Sequence, residues 1–171
     1  PYEEARVLPE VFAKRAATLD ALLAGDANTI LVTTPYGLMK SLPPKEVFTS
    51  ASAQIEIGSL FDREELEYIL AYSGYVHVEM VEGAGEYAFR GDILEVFPAD
   101  SEYPCLIEFF DDEAERISFV DPHTRKTLST AKSVKLLPAS EALFDLDDIK
   151  RNIRDADTLD KIELYGKYAG C

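Results

Sequence analysis

The residue types that most often carry catalysis are scarce or poorly placed in this sequence of 171 residues. A serine or cysteine nucleophile needs a histidine base, but the two histidines, His77 and His123, lie far apart and without a supporting motif. The two cysteines, Cys105 and Cys171, form no CxxC pair, so neither a zinc site nor a disulfide framework is predicted. We therefore predict no nucleophile and no metal site.

Acidic residues cluster at Asp111-Asp112-Glu113, where paired carboxylates could serve acid-base or metal chemistry. Because the triplet lies between two predicted strands, we interpret it as a solvated turn. His123 lies in a second predicted turn, at residues 121–124, and a metal-ligand role is not favoured there. Nucleotide hydrolysis would require a phosphate-binding string, GxxxxGKS or GxxxxGKT, which the sequence lacks. We therefore predict that this chain is not itself an enzyme.

The charge of the chain is concentrated in its middle. The formal net charge is -15, from 17 basic and 32 acidic residues. Residues 54–139 contain seven basic and 18 acidic residues, which gives -11, whereas residues 1–53 and 140–171 carry -1 and -3. A surface of this sign repels the phosphate backbone, so we predict no direct DNA contact. A solvated acidic surface with no specific partner is the alternative interpretation.

No segment is suited to a membrane. No apolar run approaches the roughly 18 residues that cross a bilayer, and nothing resembles a signal peptide. We expect no membrane partner and a cytoplasmic location. The start at Pro1, without a methionine, also leads us to expect a fragment of a longer protein.

The first and last parts of the chain predict one discontinuous α/β domain, formed by residues 1–53 and 140–171. Apolar residues at helical spacing over residues 10–24, followed by Gly25, predict an amphipathic helix. Residues 29–33 are apolar and β-branched, which predicts a strand covered on both faces. The prolines that follow predict a short helix and a turn, and residues 147–168 predict further helices.

Residues 54–139 predict an inserted α+β domain. Residues 62–65 fit a capping box that opens a helix ending at Gly74. Short strand candidates flank this helix and are separated by Gly, Pro, Asp and Ser. They cover residues 54–58, 75–80, 86–90, 92–97, 103–110, 115–120 and 133–137. We therefore predict a largely antiparallel sheet with the helix covering one face.

The predicted strand at residues 103–110 has an unusual second face. Alternation with period two gives a core set and an outward set. The core set is Cys105, Ile107 and Phe109, and the outward set is Leu106, Glu108 and Phe110. A carboxylate between two apolar groups is typical of a protein contact surface. The alternative is that Phe110 packs under a loop or against a neighbouring strand.

Arg90 lies at the end of another predicted strand, in a segment where basic residues are scarce. An exposed arginine near an exposed aromatic residue is a common composition for an interface anchor. The alternative is a local ion pair with Glu86 or Asp92, worth roughly 0 to 1 kcal/mol when exposed. The residue types alone leave both interpretations open.

Three strings in this part of the chain resemble a known family. They are RGDILEVFPA at residues 90–99, IEFFDDEAERI at residues 107–117 and DPHT at residues 121–124. In this succession they resemble the domain shared by the excinuclease component UvrB and the transcription-repair coupling factor, Mfd. The resemblance implies a non-catalytic docking surface for UvrA, the excinuclease component that binds this domain in the family.

The resemblance also implies which residues contact the partner. The family's contacting arginine matches Arg90, and its contacting phenylalanine matches Phe110. A second contacting arginine of the family falls on Leu106 here, which removes a bidentate hydrogen-bond donor from the expected surface. Leu106 is still expected to belong to that surface as an apolar contact.

The beginning of the chain is more similar to the coupling factors than to UvrB. The chain passes from residues 34–37 directly to residues 42–44, which leaves no room for the DNA-gripping hairpin of UvrB. The resemblance then implies that the full protein is an ATP-dependent DNA translocase that displaces stalled RNA polymerase. It would bind ATP, Mg²⁺, RNA polymerase and DNA through regions outside this chain. The chain itself is expected to need no cofactor. The alternatives are a fragment of UvrB and an architectural module without UvrA binding.

Overall fold

The computed structural model describes residues 9–25, 29–39, 42–140 and 143. These residues form four helices and eight strands. The helices are α1 (Pro9–Ala24), α2 (Pro35–Met39), α3 (Lys45–Ser50) and α4 (Arg63–Tyr72). The strands are β1 (Ala53–Glu56), β2 (Val76–His77), β3 (Glu86–Arg90), β4 (Ile93–Val96), β5 (Cys105–Phe110), β6 (Glu113–Val120), β7 (Thr127–Ala131) and β8 (Ser133–Leu136).

Helix α1 confirms the predicted amphipathic helix. Gly25 follows its last residue and has a left-handed φ of 71°, which a residue without a Cβ adopts at little cost. Phe12 and Ala16 on its buried side pack against Phe48 of α3 and against Leu137. Helices α2 and α3 account for the short helical segment predicted after residue 34.

The predicted strand at residues 29–33 does not form. The segment is exposed, and the side chains of Ile30 and Val32 are 87% and 89% exposed. A strand needs a neighbour that completes its backbone hydrogen bonds, and no strand among the described residues pairs with this segment. The α/β layer predicted for residues 1–53 therefore lacks its strand. The helices predicted at residues 147–168 lie outside the described residues.

A six-stranded sheet forms the centre of the molecule, in the order β2-β3-β4-β5-β6-β7. Every neighbouring pair from β3 to β7 is antiparallel, which confirms the meander predicted for residues 86–120. The prediction is wrong at the first edge, where β2 runs parallel to β3. The connection at residues 78–85 returns the chain to the start of β2, so both strands run in the same direction.

Strands β1 and β8 form a separate antiparallel ladder, in which Ala53 is opposite Leu136. The sequence pattern placed β8 at the end of the meander, and this part of the prediction is wrong. The edge position belongs to β7, whose side chains are almost all exposed and therefore show no apolar alternation. An ion pair between Lys135 and Asp20 connects β8 to α1.

Helix α4 covers one face of the large sheet, which we call the inner face. The Asp62 carboxylate begins the helix by accepting a hydrogen bond from the backbone N–H of Glu65 at 3.0 Å. Leu66 and Leu70 of α4, each 1% exposed, pack against the sheet. The buried sheet residues of this face are Tyr87, Leu94, Val96, Cys105, Ile107, Ala114 and Ile117. The predicted α+β architecture, with a largely antiparallel sheet covered by a helix, is thereby confirmed.

Candidate functional site

The face of the six-stranded sheet opposite α4, which we call the outer face, carries the residues predicted to bind a partner. Since side chains alternate along each strand, the register of the ladders identifies its members. One row across the sheet is Ala88, Glu95, Leu106, Ser118 and Thr130, and the next is Arg90, Ile93, Glu108 and Arg116. Phe110 lies two residues beyond Glu108 on β5, on the same face. The structure thus places Arg90, Leu106 and Phe110 on one surface.

Arg90 is exposed at the end of β3. Its Nη2 group donates a hydrogen bond to the backbone carbonyl of Glu79 at 2.9 Å. The alternative ion pair with Glu86 or Asp92 does not form, because the Glu86 carboxylate instead accepts hydrogen bonds from two backbone N–H groups of the preceding loop, both at 2.8 Å. No carboxylate within the described ranges forms an ion pair with Arg90. Its charge is therefore available to a partner.

Phe110 ends β5 and is 67% exposed, so the alternative in which it packs under a loop or against a neighbouring strand is wrong. The strand geometry accounts for this exposure, because the chain turns immediately afterwards at Asp111, which has a left-handed φ of 51°. Arg90 and Phe110 lie two strands apart and one step along the sheet, which places their Cα atoms about 12 Å apart. A single partner surface can contact both residues.

Leu106 is half-buried in the centre of the outer face. It is opposite Glu95 on one side and Ser118 on the other, and both of those residues are 2% exposed. Leu106 therefore presents only part of its side chain to solvent. Its place between two buried polar residues differs from the exposed positions of Arg90 and Phe110.

Two further residues of the same surface, Ile93 and Arg116, were not predicted from the sequence. Ile93 lies between Arg90 and Glu108 in its row and is 38% exposed. Arg116 forms an ion pair with Glu108 at 3.5 Å, with both side chains about half exposed, so the pair contributes roughly 0 to 1 kcal/mol to stability. Strand pairing brings these residues to the surface, and no local sequence signal reports it.

An ion pair between Glu95 and Arg125 was not predicted either. Nη1 of Arg125 lies 2.5 Å from Oε1 of Glu95, although Glu95 lies on β4 and Arg125 in the turn between β6 and β7. The contact is close but poorly aligned for a hydrogen bond, and Oε1 accepts no aligned hydrogen bond from another described residue. The Ser118 hydroxyl nearby also lacks a partner in the described part of the chain. The outer face thus contains buried polar groups as well as exposed ones.

The arginines are distributed unevenly between the two faces. Residues 54–139 contain four arginines, and three of them, Arg90, Arg116 and Arg125, lie on or over the outer face. The fourth, Arg63, belongs to α4 and stacks over the ring of Phe89 at 4.5 Å. An acidic region thus concentrates its guanidinium groups beside exposed apolar side chains. This composition suits recognition of a protein surface.

Several of the side chains that the sequence offered for catalysis or metal binding are buried in the core or form turns. Burial raises the pKa of the Cys105 thiol to about 12, so it is not a nucleophile at neutral pH. The Asp121 carboxylate accepts hydrogen bonds from the N–H groups of Thr124 (2.6 Å) and His123 (3.0 Å), which confirms the turn predicted there. Asp111 and Asp112 of the acidic triplet form the predicted turn between β5 and β6, whereas Glu113 is already the first residue of β6. No group of three His, Cys, Asp or Glu side chains among the described residues could hold a metal ion.

None of the helices described here has the length and apolar character needed to span a membrane.

A family profile described as "UvrB interaction domain" matches residues 53–141. The transcription-repair-coupling factor of Bacillus subtilis is 30% identical over 88% of this chain, and that of Myxococcus xanthus is 33% identical over 84%. The UvrABC system protein B of Kosmotoga olearia is 32% identical over 82%. The chain spans only 13%, 12% and 22% of the lengths of these three relatives.

Proposed function

The chain belongs to the family of UvrB interaction domains, and on this basis we propose that it docks UvrA through the outer face of its six-stranded sheet. The observation that carries the proposal is the exposure of Arg90 and Phe110 on the one sheet face that α4 leaves uncovered. Arg90 supplies unneutralised N–H donors, and Phe110 supplies an aromatic ring whose burial would release water. The chain acts by recruitment, with no chemical step of its own.

Leu106 has a secondary role in this proposal. Its partly exposed side chain is a diagonal neighbour of Ile93 in the register and extends the apolar area on the side of Glu108 away from Phe110. Because it is half-buried already, its truncation should remove less contact area than truncation of Phe110. We therefore expect Arg90 and Phe110 to dominate the binding energy.

Titration of the chain with purified UvrA tests the proposal. We expect the wild type to bind, and Arg90→Ala and Phe110→Ala each to weaken binding by about 1 to 4 kcal/mol, as truncation of interface anchors does. Circular dichroism and thermal unfolding would show whether each variant keeps its fold. Both residues are exposed, so the fold should be retained.

A matched control variant for Phe110 lies on α4, which covers the other face of the sheet. Tyr68 is an aromatic residue of α4 whose side chain is 55% exposed, against 67% for Phe110. Tyr68→Ala should leave the UvrA affinity unchanged. If it weakens binding as much as the outer-face variants do, the outer face is not the docking surface. If the folded wild type does not bind at all, an architectural role becomes the better account.

The activity of the complete protein is a further part of the proposal. The similarity to transcription-repair-coupling factors supports an ATP-dependent DNA translocase that displaces stalled RNA polymerase in the bacterial cytoplasm. Since these 171 residues contain no phosphate-binding string, ATP and Mg²⁺ would bind elsewhere in that protein, as would RNA polymerase and DNA. An ATPase assay of the isolated chain should give no turnover.

The alternative assignment is a fragment of a UvrB protein, favoured by the similarity to the Kosmotoga olearia protein. The short path between α2 and α3, residues 40–44, supports the coupling-factor assignment, because it leaves no room for a long hairpin. Sequencing upstream of residue 1 separates the two. A phosphate-binding string directly before Pro1 would favour the UvrB assignment.

A further inference from the structure

The backbone of Arg125 has a conformation that is unfavourable for arginine. It has a left-handed φ of 59°, which costs free energy for a residue with a Cβ and which glycine adopts readily. Two backbone hydrogen bonds close the turn, from the Arg125 N–H to the Asp121 carbonyl (2.8 Å) and from the Asp121 N–H to the Lys126 carbonyl (2.9 Å). Strain of this kind persists where the surrounding structure enforces it, and it often accompanies a functional side chain.

The side chain of Arg125 crosses β5 to reach β4. It starts in the turn after β6, it contacts Glu95 on β4, and β5 lies between those two strands. Glu95 is opposite Leu106 in the register, so the guanidinium lies beside Leu106 over the outer face. The turn thus places a guanidinium group beside Leu106, a position where β5 itself has no basic residue.

The ion pair leaves this guanidinium able to bind a second acid. Glu95 is buried, whereas the side chain of Arg125 is 40% exposed, so a partner can reach only the cation. A guanidinium presents five N–H donors in a planar fork, and Glu95 is the one described residue that forms an ion pair with it. The contact with the Glu95 carboxylate also raises the pKa of Arg125 above its ordinary value. The cation is therefore fully charged and already oriented before a partner arrives.

The guanidinium groups of Arg90 and Arg125 both lie next to the exposed apolar residue Ile93 of this surface. Arg90 is opposite Ile93 on β4, and Glu95, which holds Arg125, is the next outward residue on the same strand. The Cα atoms of Ile93 and Glu95 are about 7 Å apart, from the rise of a strand. The two guanidinium groups therefore lie within reach of one small patch of a partner.

We infer that Arg125 is the second cationic contact of the docking surface and that its guanidinium receives an acidic side chain of UvrA, with Glu95 as the residue that positions it. The inference rests on the proposed function and adds to it the chemistry of the partner. A carboxylate is the expected group because its two oxygens match the guanidinium fork. The patch on UvrA is therefore acidic around an apolar centre.

The test compares two variants of the complete chain that share a neutral residue at position 95. Glu95→Gln removes the buried charge that positions the guanidinium but keeps the guanidinium itself, so it should bind UvrA more weakly than the wild type. Glu95→Gln/Arg125→Gly removes the guanidinium as well, and glycine suits the left-handed φ, so the turn is not strained further. We expect this double variant to bind about tenfold or more weakly than Glu95→Gln. Its binding should also depend less on salt, since one charge contact is gone.

Three results are distinguishable by isothermal titration calorimetry at two salt concentrations. A further loss of affinity and of salt dependence from Glu95→Gln to the double variant supports the inference. Equal affinities for the double variant and Glu95→Gln overturn it, while a weakened Arg90→Ala in the same series leaves the proposed function intact. A folded wild type that does not bind UvrA overturns both.

A second pair of variants keeps the test decisive if Glu95→Gln does not fold. Arg125→Lys retains a cation beside Glu95 but loses the planar fork, and Arg125→Gly loses both. The inferred contact predicts the order wild type, Arg125→Lys, Arg125→Gly in decreasing affinity. Equal affinity across these three proteins would overturn the inference.

Discussion

The two faces of the six-stranded sheet are built from the same strands and differ in almost every property. Apolar side chains pack under α4 on the inner face, where Leu94, Ile107 and Ile117 are fully buried. The outer face combines arginines, a glutamate at its surface and exposed Ile93 and Phe110. Because neighbours along a strand alternate between the faces, the buried core and the proposed docking surface use alternate residues. Substitutions one position apart should therefore have separable effects.

The largest expected separation is at Ile107 and Leu106. Ile107→Ala removes a fully buried side chain and should lower the free energy of unfolding by about 2 to 5 kcal/mol. Leu106→Ala acts on the half-buried neighbour and should cost clearly less. Urea unfolding followed by circular dichroism measures both. Equal losses would mean that the outer face is packed as tightly as the inner one.

A smaller effect is expected at Asp62, which begins the helix that covers only the inner face. Asp62→Ala removes the hydrogen bond to the Glu65 N–H and should cost about 1 kcal/mol of stability. Affinity for UvrA should not change in the folded variant, because α4 lies away from the outer face. Asp62→Asn retains an acceptor for the Glu65 N–H and serves as the control. A comparable loss in the asparagine variant would show that the cap hydrogen bond is not the cause.

The smallest expected effect concerns the turn that carries Arg125. Hydrogen bonds from the Thr124 N–H and hydroxyl, and from the His123 N–H, lower the pKa of Asp121 below its ordinary value of 3.8. Since the pKa is lowered by folding, the stabilisation is complete above the unfolded pKa and is lost as the pH falls through the folded one. An NMR titration of the Asp121 carboxyl should have its midpoint below 3.8. Thr124→Ala removes the hydroxyl donor and should move the midpoint back towards that value.

Local signals predicted the parts of the fold that local physics determines. Helix α4 has its capping residue and its terminal glycine in the sequence, and both act as expected. Strands β3 to β6 are separated by turn residues, and successive strands joined by short connections commonly pair as antiparallel neighbours. The alternation along β5 placed Leu106 and Phe110 on one face, as the structure does. Their contact with a partner stays a prediction.

The features that sequence patterns missed depend on which distant segments meet. Strand β7 is polar and exposed, so only its pairing with β6 identifies it. Residues 29–33 have every local property of a strand but lack a neighbour among the described residues. The pair of Glu95 and Arg125 joins positions that no short-range pattern connects. In each case the outcome is decided by tertiary pairing rather than by local preference.

The ladder of β1 and β8 has a topological consequence for protein engineering. Ala53 and Leu136 face each other in it, so the polypeptide enters and leaves the intervening segment at points about 5 Å apart. A segment whose two ends lie close together can be inserted into a surface loop of a host protein without distorting the host or the segment. Residues 53–136 should therefore be transplantable as a cassette that carries the whole outer face.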